Sequence, residues 1–180
     1  MADWPILEKQ INSHIIATYT LDSLGVELTG MGMNPTVNAF PNASEAIFIP
    51  FRIYQPTTVT KAFVINGASA AGAAEIGIYD AEGVMVVTSS GASVGAANAL
   101  REYEFVDTNL APGNYYMGMV VSETATSSLF RGTSTIGATM PRMLGVVVQS
   151  AASPLPATAT FVAASSPYIP FIHLATMVTV

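Results

Sequence analysis

The sequence predicts an all-β protein: an antiparallel β-sandwich or jelly-roll-like domain over 46–180, preceded by an extended or partly helical leader over 1–45. Two observations predict the sandwich. From Ala46 onward, short runs of β-branched and aromatic residues alternate with turn clusters, and several runs alternate apolar and polar positions with the period of a half-buried strand. A third observation concerns the surroundings of the domain. Only 10% of the residues are charged (12 acidic, 6 basic), and none of these follows Arg142.

The leader reads differently. Ile6, Leu7, Ile11, Ile15 and Ile16 form an approximate helical stripe, and Pro5 suits a first helical turn. The stretch from Ile15 to Thr20 reads equally as a strand. A loop rich in Gly, Asn and Pro follows from Gly30 to Pro35, and a turn at Phe40-Pro41-Asn42. Asp3, Trp4, Pro5, Glu8 and Lys9 interrupt the place of a basic region and an apolar stretch, so a signal peptide is not expected.

Strand-like runs follow at 46–54, 57–66, 73–80, 84–89, 99–107, 115–122, 145–149, 158–163 and 168–174. Ile47, Ile49, Phe51 and Ile53 alternate with Phe48, Pro50, Arg52 and Tyr54. Between Arg101 and Val106 the outward set is Arg101 or Glu102 with Glu104, and Tyr103 and Phe105 take the other face. This period predicts one buried face per strand and one open face. Asp80-Ala81-Glu82-Gly83 predicts a hairpin turn, with Gly83 taking the positive φ. Ala111-Pro112-Gly113-Asn114 predicts a turn of type II. The small-residue stretches 67–74 and 89–98 predict loops pressed against neighbours. Pro154, Pro156, Pro167 and Pro170 exclude a continuous helix in the charge-free final segment, which is expected to lie inside an assembly.

Composition excludes several classes. High hydrophobicity with low charge is the reverse of a disordered chain. A net charge of −6 leaves no basic surface for nucleic acid. No apolar run is long enough for a membrane span. Without cysteine there is no disulfide framework, thiolate nucleophile or Cys-ligated metal. The length suits one domain, and the scarcity of charge predicts apolar surface placed against other subunits.

Candidate chemistry is thin. Gly91-Ala92-Ser93-Val94-Gly95 matches the nucleophile-elbow pattern, and Ser93, then Asp107 or Glu123, then His173 follow a triad order. The elbow needs a strand before the serine and a helix after it, which this composition does not suggest. His14 and His173 are too few and too distant for zinc. Asp80 and Glu82 offer oxygen ligands for calcium but fit the hairpin turn. Glu102 and Glu104 share a strand face and resemble a glycosidase pair or a solvated edge. Tyr54, Tyr79, Tyr103, Tyr115, Tyr116 and Tyr168 could form a sugar platform or pack in the core, with the single Trp4 outside the sandwich. Asn42-Ala43-Ser44 fits the N-glycosylation pattern by coincidence, and Gly30-Met31-Gly32 is no dinucleotide fingerprint because Pro35 stands where a third glycine belongs. No catalytic, cofactor-binding or metal-ligating residue is therefore expected.

The segments Ile76-Gly77-Ile78-Tyr79-Asp80-Ala81-Glu82-Gly83, Leu110-Ala111-Pro112-Gly113-Asn114-Tyr115-Tyr116-Met117 and Pro154-Leu155-Pro156-Ala157-Thr158-Ala159-Thr160-Phe161 together resemble tailed-bacteriophage virion structural proteins. These are small β-sandwich or jelly-roll subunits of tails, fibres or head decoration. The resemblance covers about residues 46–174 and brings no catalytic residues. It implies a non-enzymatic virion subunit that binds copies of itself, a trimer among the options, and other capsid or tail proteins. Nucleic acid and a membrane span are not expected. The alternative is a carbohydrate- or receptor-binding module with a host glycan as partner.

Overall fold

The computed structural model describes residues 33–122, 128–134 and 137–178. The helical stripe or strand expected between Ile6 and Thr20 lies outside them, as do Trp4, His14, Gly30, Met31, Gly32 and Glu123. In chain order the strands are β1 (Met33–Ala39), β2 (Ala46–Ile53), β3 (Thr57–Ile65), β4 (Ala73–Asp80), β5 (Met85–Thr88), β6 (Ala92–Ser93), β7 (Leu100–Leu110), β8 (Gly113–Val121) and β9 (Ser128–Ser134). A short helix α1 (Thr139–Met143) precedes β10 (Val147–Gln149), β11 (Val162–Ala163), β12 (Tyr168–Pro170) and β13 (His173–Val178).

Every strand pairing is antiparallel, and the strands form a sandwich. The large sheet has seven strands in the order β11-β10-β2-β8-β4-β5, with β6 beside β4. The second layer consists of two three-stranded sheets, β1-β9-β12 and β13-β3-β7. A bridge between Asn66, just past β3, and Leu129 on β9 joins them. Ile47, Ile49, Ile53, Ile76, Ile78, Met117 and Met119 of the large sheet meet Val59, Val64, Tyr103, Phe105, Tyr168 and Leu174 of the second layer in the main core. The inward set on β2 and β7 is the one their alternation predicts.

The expectation of one open face per strand fails in the large sheet. Its outer face carries a second cluster, Ala46, Phe48, Tyr79 and Val120, covered by Ala152, Leu155 and Ala159 with Phe161 packed alongside. Residues 150–161 leave β10 and return to it as β11, where Val148 pairs with Val162. They form a loop with closely spaced ends, the geometry of an Ω-loop. Tyr79 donates its hydroxyl to the Pro156 carbonyl at 2.8 Å, and Met85 N–H donates to the Ala157 carbonyl at 2.9 Å. Much of the charge-free C-terminal segment is thus covered by its own chain: Val146, Val148, Leu155, Ile169, Ile172 and Leu174 are all buried.

Two strands escape the sequence pattern. β1 lies within the expected leader and pairs with β9 along its whole length, Met33 opposite Ser134 to Ala39 opposite Ser128. The expected loop at Gly30–Pro35 therefore becomes strand from Met33. Pro35 is compatible because β1 is an edge strand, where a missing N–H is tolerated. β9 contains Ser, Thr and Gly, yet it is held by β1 on one side and β12 on the other. Two residues past the end of α1, Gly145 takes a φ of +75°, which suits the exit from a helix.

The turn at Asp80–Gly83 forms as expected. Asp80 Oδ1 accepts hydrogen bonds from Glu82 N–H at 3.1 Å and Val84 N–H at 2.8 Å, and Gly83 has φ +83°. The Pro-Gly turn does not take the type II form, because Gly113, which would need a positive φ there, opens β8 outside the left-handed region. β7 belongs to the second layer and β8 to the large sheet, so residues 111–112 carry the chain between layers, and Gly113 opens β8. Tyr115 holds this corner by donating its hydroxyl to the Ala111 carbonyl at 2.9 Å, an arrangement like the tyrosine corner of other sandwiches. Tyr115→Phe should lower stability by about 0.5–1.5 kcal/mol, read as a shifted urea midpoint with an unchanged slope.

The small-residue stretches close on each other within the chain. Val94 N–H donates to the Gly72 carbonyl, and Asn98 N–H to that of Gly67. Buried Asn66 donates its Nδ2 to the carbonyls of Val94 at 2.6 Å and Ala96 at 3.0 Å.

Candidate functional surface

Among the described residues, those singled out by sequence do not assemble a reactive centre. Ser93 sits on the short strand β6 in an antiparallel sheet, with no helix following, and its Oγ accepts a hydrogen bond from Gly95 N–H at 3.2 Å. This is a local turn, not a nucleophile elbow. His173 lies in the second layer, its ring edge-on to Phe63 with centroids 6.4 Å apart, and Asp107 is exposed on β7. The Asp80 Oδ1 that could have met calcium is taken by turn amides. Among the described residues, no group of three His, Asp or Glu side chains could hold a metal ion. Asn42 is exposed in the turn before β2.

Glu102 and Glu104 flank Lys61, whose Nζ lies 2.9 Å from Glu102 Oε2 and 3.0 Å from Glu104 Oε1. These hydrogen bonds raise the Lys61 pKa above its usual value. The pair of carboxylates therefore forms an exposed ion-pair ladder across β3 and β7.

The six tyrosines divide. Tyr79, Tyr103 and Tyr168 are buried, Tyr115 stacks on Phe51, and Tyr116 packs on Phe161. Tyr54 is exposed, with the Arg52 guanidinium 5.3 Å from its ring centre. No row of exposed coplanar tyrosine rings is formed among the described residues. Burial pushes the Tyr103 phenol up to about 12 against the opposing pull of Arg101. Its folded pKa exceeds the unfolded value, so its stabilisation is intact below about pH 10 and is lost as pH rises toward about 12. Tyr103→Phe should flatten the fall in stability over that window, as measured by urea unfolding at stepped alkaline pH.

Among the described residues, the outer face of the β13-β3-β7 sheet is open. β3 is paired on both sides, with His173 opposite Phe63 on one side and Glu102 opposite Phe63 on the other. Outward-facing Ile65 and Leu100 are register partners and are 47% and 59% exposed. Val106, further along β7, is 79% exposed. The Lys61 ladder stands between them. Arg101, Glu102, Glu104 and Asp107 all lie on β7, one of the two edge strands of this sheet among the described residues, and charge there discourages pairing with another strand along that edge.

No family model, curated protein or solved structure matches the chain.

Sequence reasoning missed this surface because it treated apolar residues on alternating strands as inward. A usable signal was present: Leu100 and Val106 share the parity of Glu102 and Glu104, which marks them as outward. Glu75 was also missed. It is a lone acid inside the apolar run Ala73–Tyr79, and it proves to be buried.

Proposed function

We propose that the protein is a non-enzymatic structural subunit of an assembled particle, of the tailed-phage virion kind that its turn motifs resemble, in head decoration, tail or fibre. Copies associate through the outer face of the β13-β3-β7 sheet. The observation that carries this reading is the contrast between the two outer faces. Residues 150–161 of the same chain cover Phe48, Tyr79 and Val120 in the middle of the large sheet's outer face, leaving Val86 and Val162 exposed on its outer strands, whereas Ile65, Leu100 and Val106 stand exposed on the other with no such cover among the described residues. Apolar residues grouped on one open face favour a protein partner over solvent. The Lys61 ladder on the same face supplies directional contacts that set register.

Analytical ultracentrifugation tests the assembly. The full chain should sediment as an oligomer, and the double substitution Ile65→Lys and Leu100→Lys should yield a folded monomer. A full chain that stays monomeric at high concentration overturns the reading. Attachment to a particle is tested by deleting residues 1–32, which leaves every described strand in place; deletion through residue 45 would also remove β1.

A further inference from the structure

Glu75 is a buried acid beside a cavity. It lies on β4, is 7% exposed, and points to the outer face of the large sheet beneath the 150–161 loop. Its Oε1 accepts a hydrogen bond from Thr88 Oγ1 at 2.8 Å, and its Oε2 accepts one from Leu155 N–H at 2.8 Å. Both donors are neutral. Among the described residues the ion pairs are those of Lys61, and none involves Glu75. A carboxylate offers about four acceptor positions, so two stay open. Burying a charge without a counter-charge is costly, and such groups are normally paired or coordinate a cation. The negative charge is felt locally: after burial itself, it is what pushes the Tyr79 phenol upward.

The cavity has a volume of about 230 Å³ and opens between this carboxylate and the loop. Ala73, Val120 and Pro154 form its apolar walls, and Ser122 and Ser153 bring hydroxyl groups. This is smaller than a drug-sized pocket of about 300–1,000 Å³, so the occupant has few heavy atoms. A divalent metal would need several further ligands, and no suitable cluster of His, Asp or Glu exists among the described residues. An organic ammonium needs only the carboxylate acceptor, an apolar wall for its methylenes and a hydroxyl partner.

We propose that the cavity between β4 and the 150–161 loop binds a small primary ammonium compound, its nitrogen donating to Glu75 and its carbon atoms resting on Val120 and Pro154. This site is separate from the open face of the second layer, and either could fail without the other.

Ethanolamine is the probe, with ethylene glycol as its uncharged counterpart, each titrated into the full chain and followed by backbone amide NMR shifts. Ethanolamine should give saturable shifts at Thr88 and Leu155, with a Kd of about 1–10 mM, whereas ethylene glycol should give none. Glu75→Gln should weaken binding at least about tenfold. Ala73→Leu, which fills the cavity and leaves the carboxylate in place, should weaken it similarly and decides the matter if Glu75→Gln does not fold. The proposal is overturned by the absence of saturation up to about 100 mM, by equal binding of the two probes, or by undiminished binding to Ala73→Leu.

Discussion

Phe48→Ala should destabilise the protein by about 3–5 kcal/mol, the largest effect expected of any single truncation in the large sheet. Phe48 is fully buried, yet it does not belong to the core between the layers. Its ring stands on the outer face of β2 and meets Tyr79 edge-on and Phe161 obliquely, both with centroids 5.1 Å apart. One ring therefore joins β2, β4 and the covering loop. Removing it takes away apolar contact on three sides and leaves a cavity that the loop alone can collapse into. Urea unfolding should show a lower midpoint. Hydrogen exchange should show the amides of Met85 and Ala159, which stitch the loop to the β4–β5 hairpin, losing protection more than those of β3 and β7. Uniform loss of protection across both layers would show that the loop is no separate unit.

Gly118→Val should come close to that effect by the opposite route. A Cβ at Gly118 would lie 2.8 Å from Phe48 Cε1, 2.9 Å from Phe48 Cδ1 and 3.1 Å from Tyr79 Cε2. Gly118 is on β8, between β2 and β4, so neither backbone can retreat without breaking ladder bonds. Even the alanine variant should cost about 1–3 kcal/mol through overpacking, and valine more. The two sites also test each other. With Phe48 replaced by alanine, the space opposite Gly118 is empty, so Gly118→Ala should cost much less there than in the parent chain. A double-mutant cycle on urea midpoints measures this coupling, and strict additivity would show that the ring is not what constrains Gly118.

These two residues show where the sequence was legible. β2 reads as alternating Ile47, Ile49, Phe51 and Ile53, and the structure places all four in the main core. The same alternation sends Phe48 outward, which is geometrically right, but what lies outside cannot be read from period alone. The cover comes from residues about a hundred positions later, with no regular period of their own. β1 and β9 were obscured for a related reason: Pro35 and Gly132 weaken the local pattern, and long-range pairing overrides it. The Asp80–Gly83 turn was legible because its determinants lie within four residues. The Pro-Gly segment misled because that dipeptide favours a type II turn, whereas here the chain crosses between layers and Gly113 enters β8 directly. The candidate surface and the buried Glu75 depend in the same way on which face a distant segment happens to cover.

The covering loop also bears on how the chain is made. Translation supplies β2, β4 and β8 first, with Phe48, Tyr79 and Tyr116 already in place, and residues 150–161 emerge only afterwards. β3 likewise waits for β13, the last described strand, before its second edge is paired. Until residues 150–178 emerge, a nascent chain thus carries a bare aromatic sheet and a strand with one unpaired edge, both of which invite self-association. A ribosome that stops after Gln149 would release a chain whose large sheet lacks both its cover and its edge strand β11, and whose β3 is paired on the β7 side only. Residues 150–178 thus supply both the cover of the large sheet and the second partner of β3 after the strands they complete have been made.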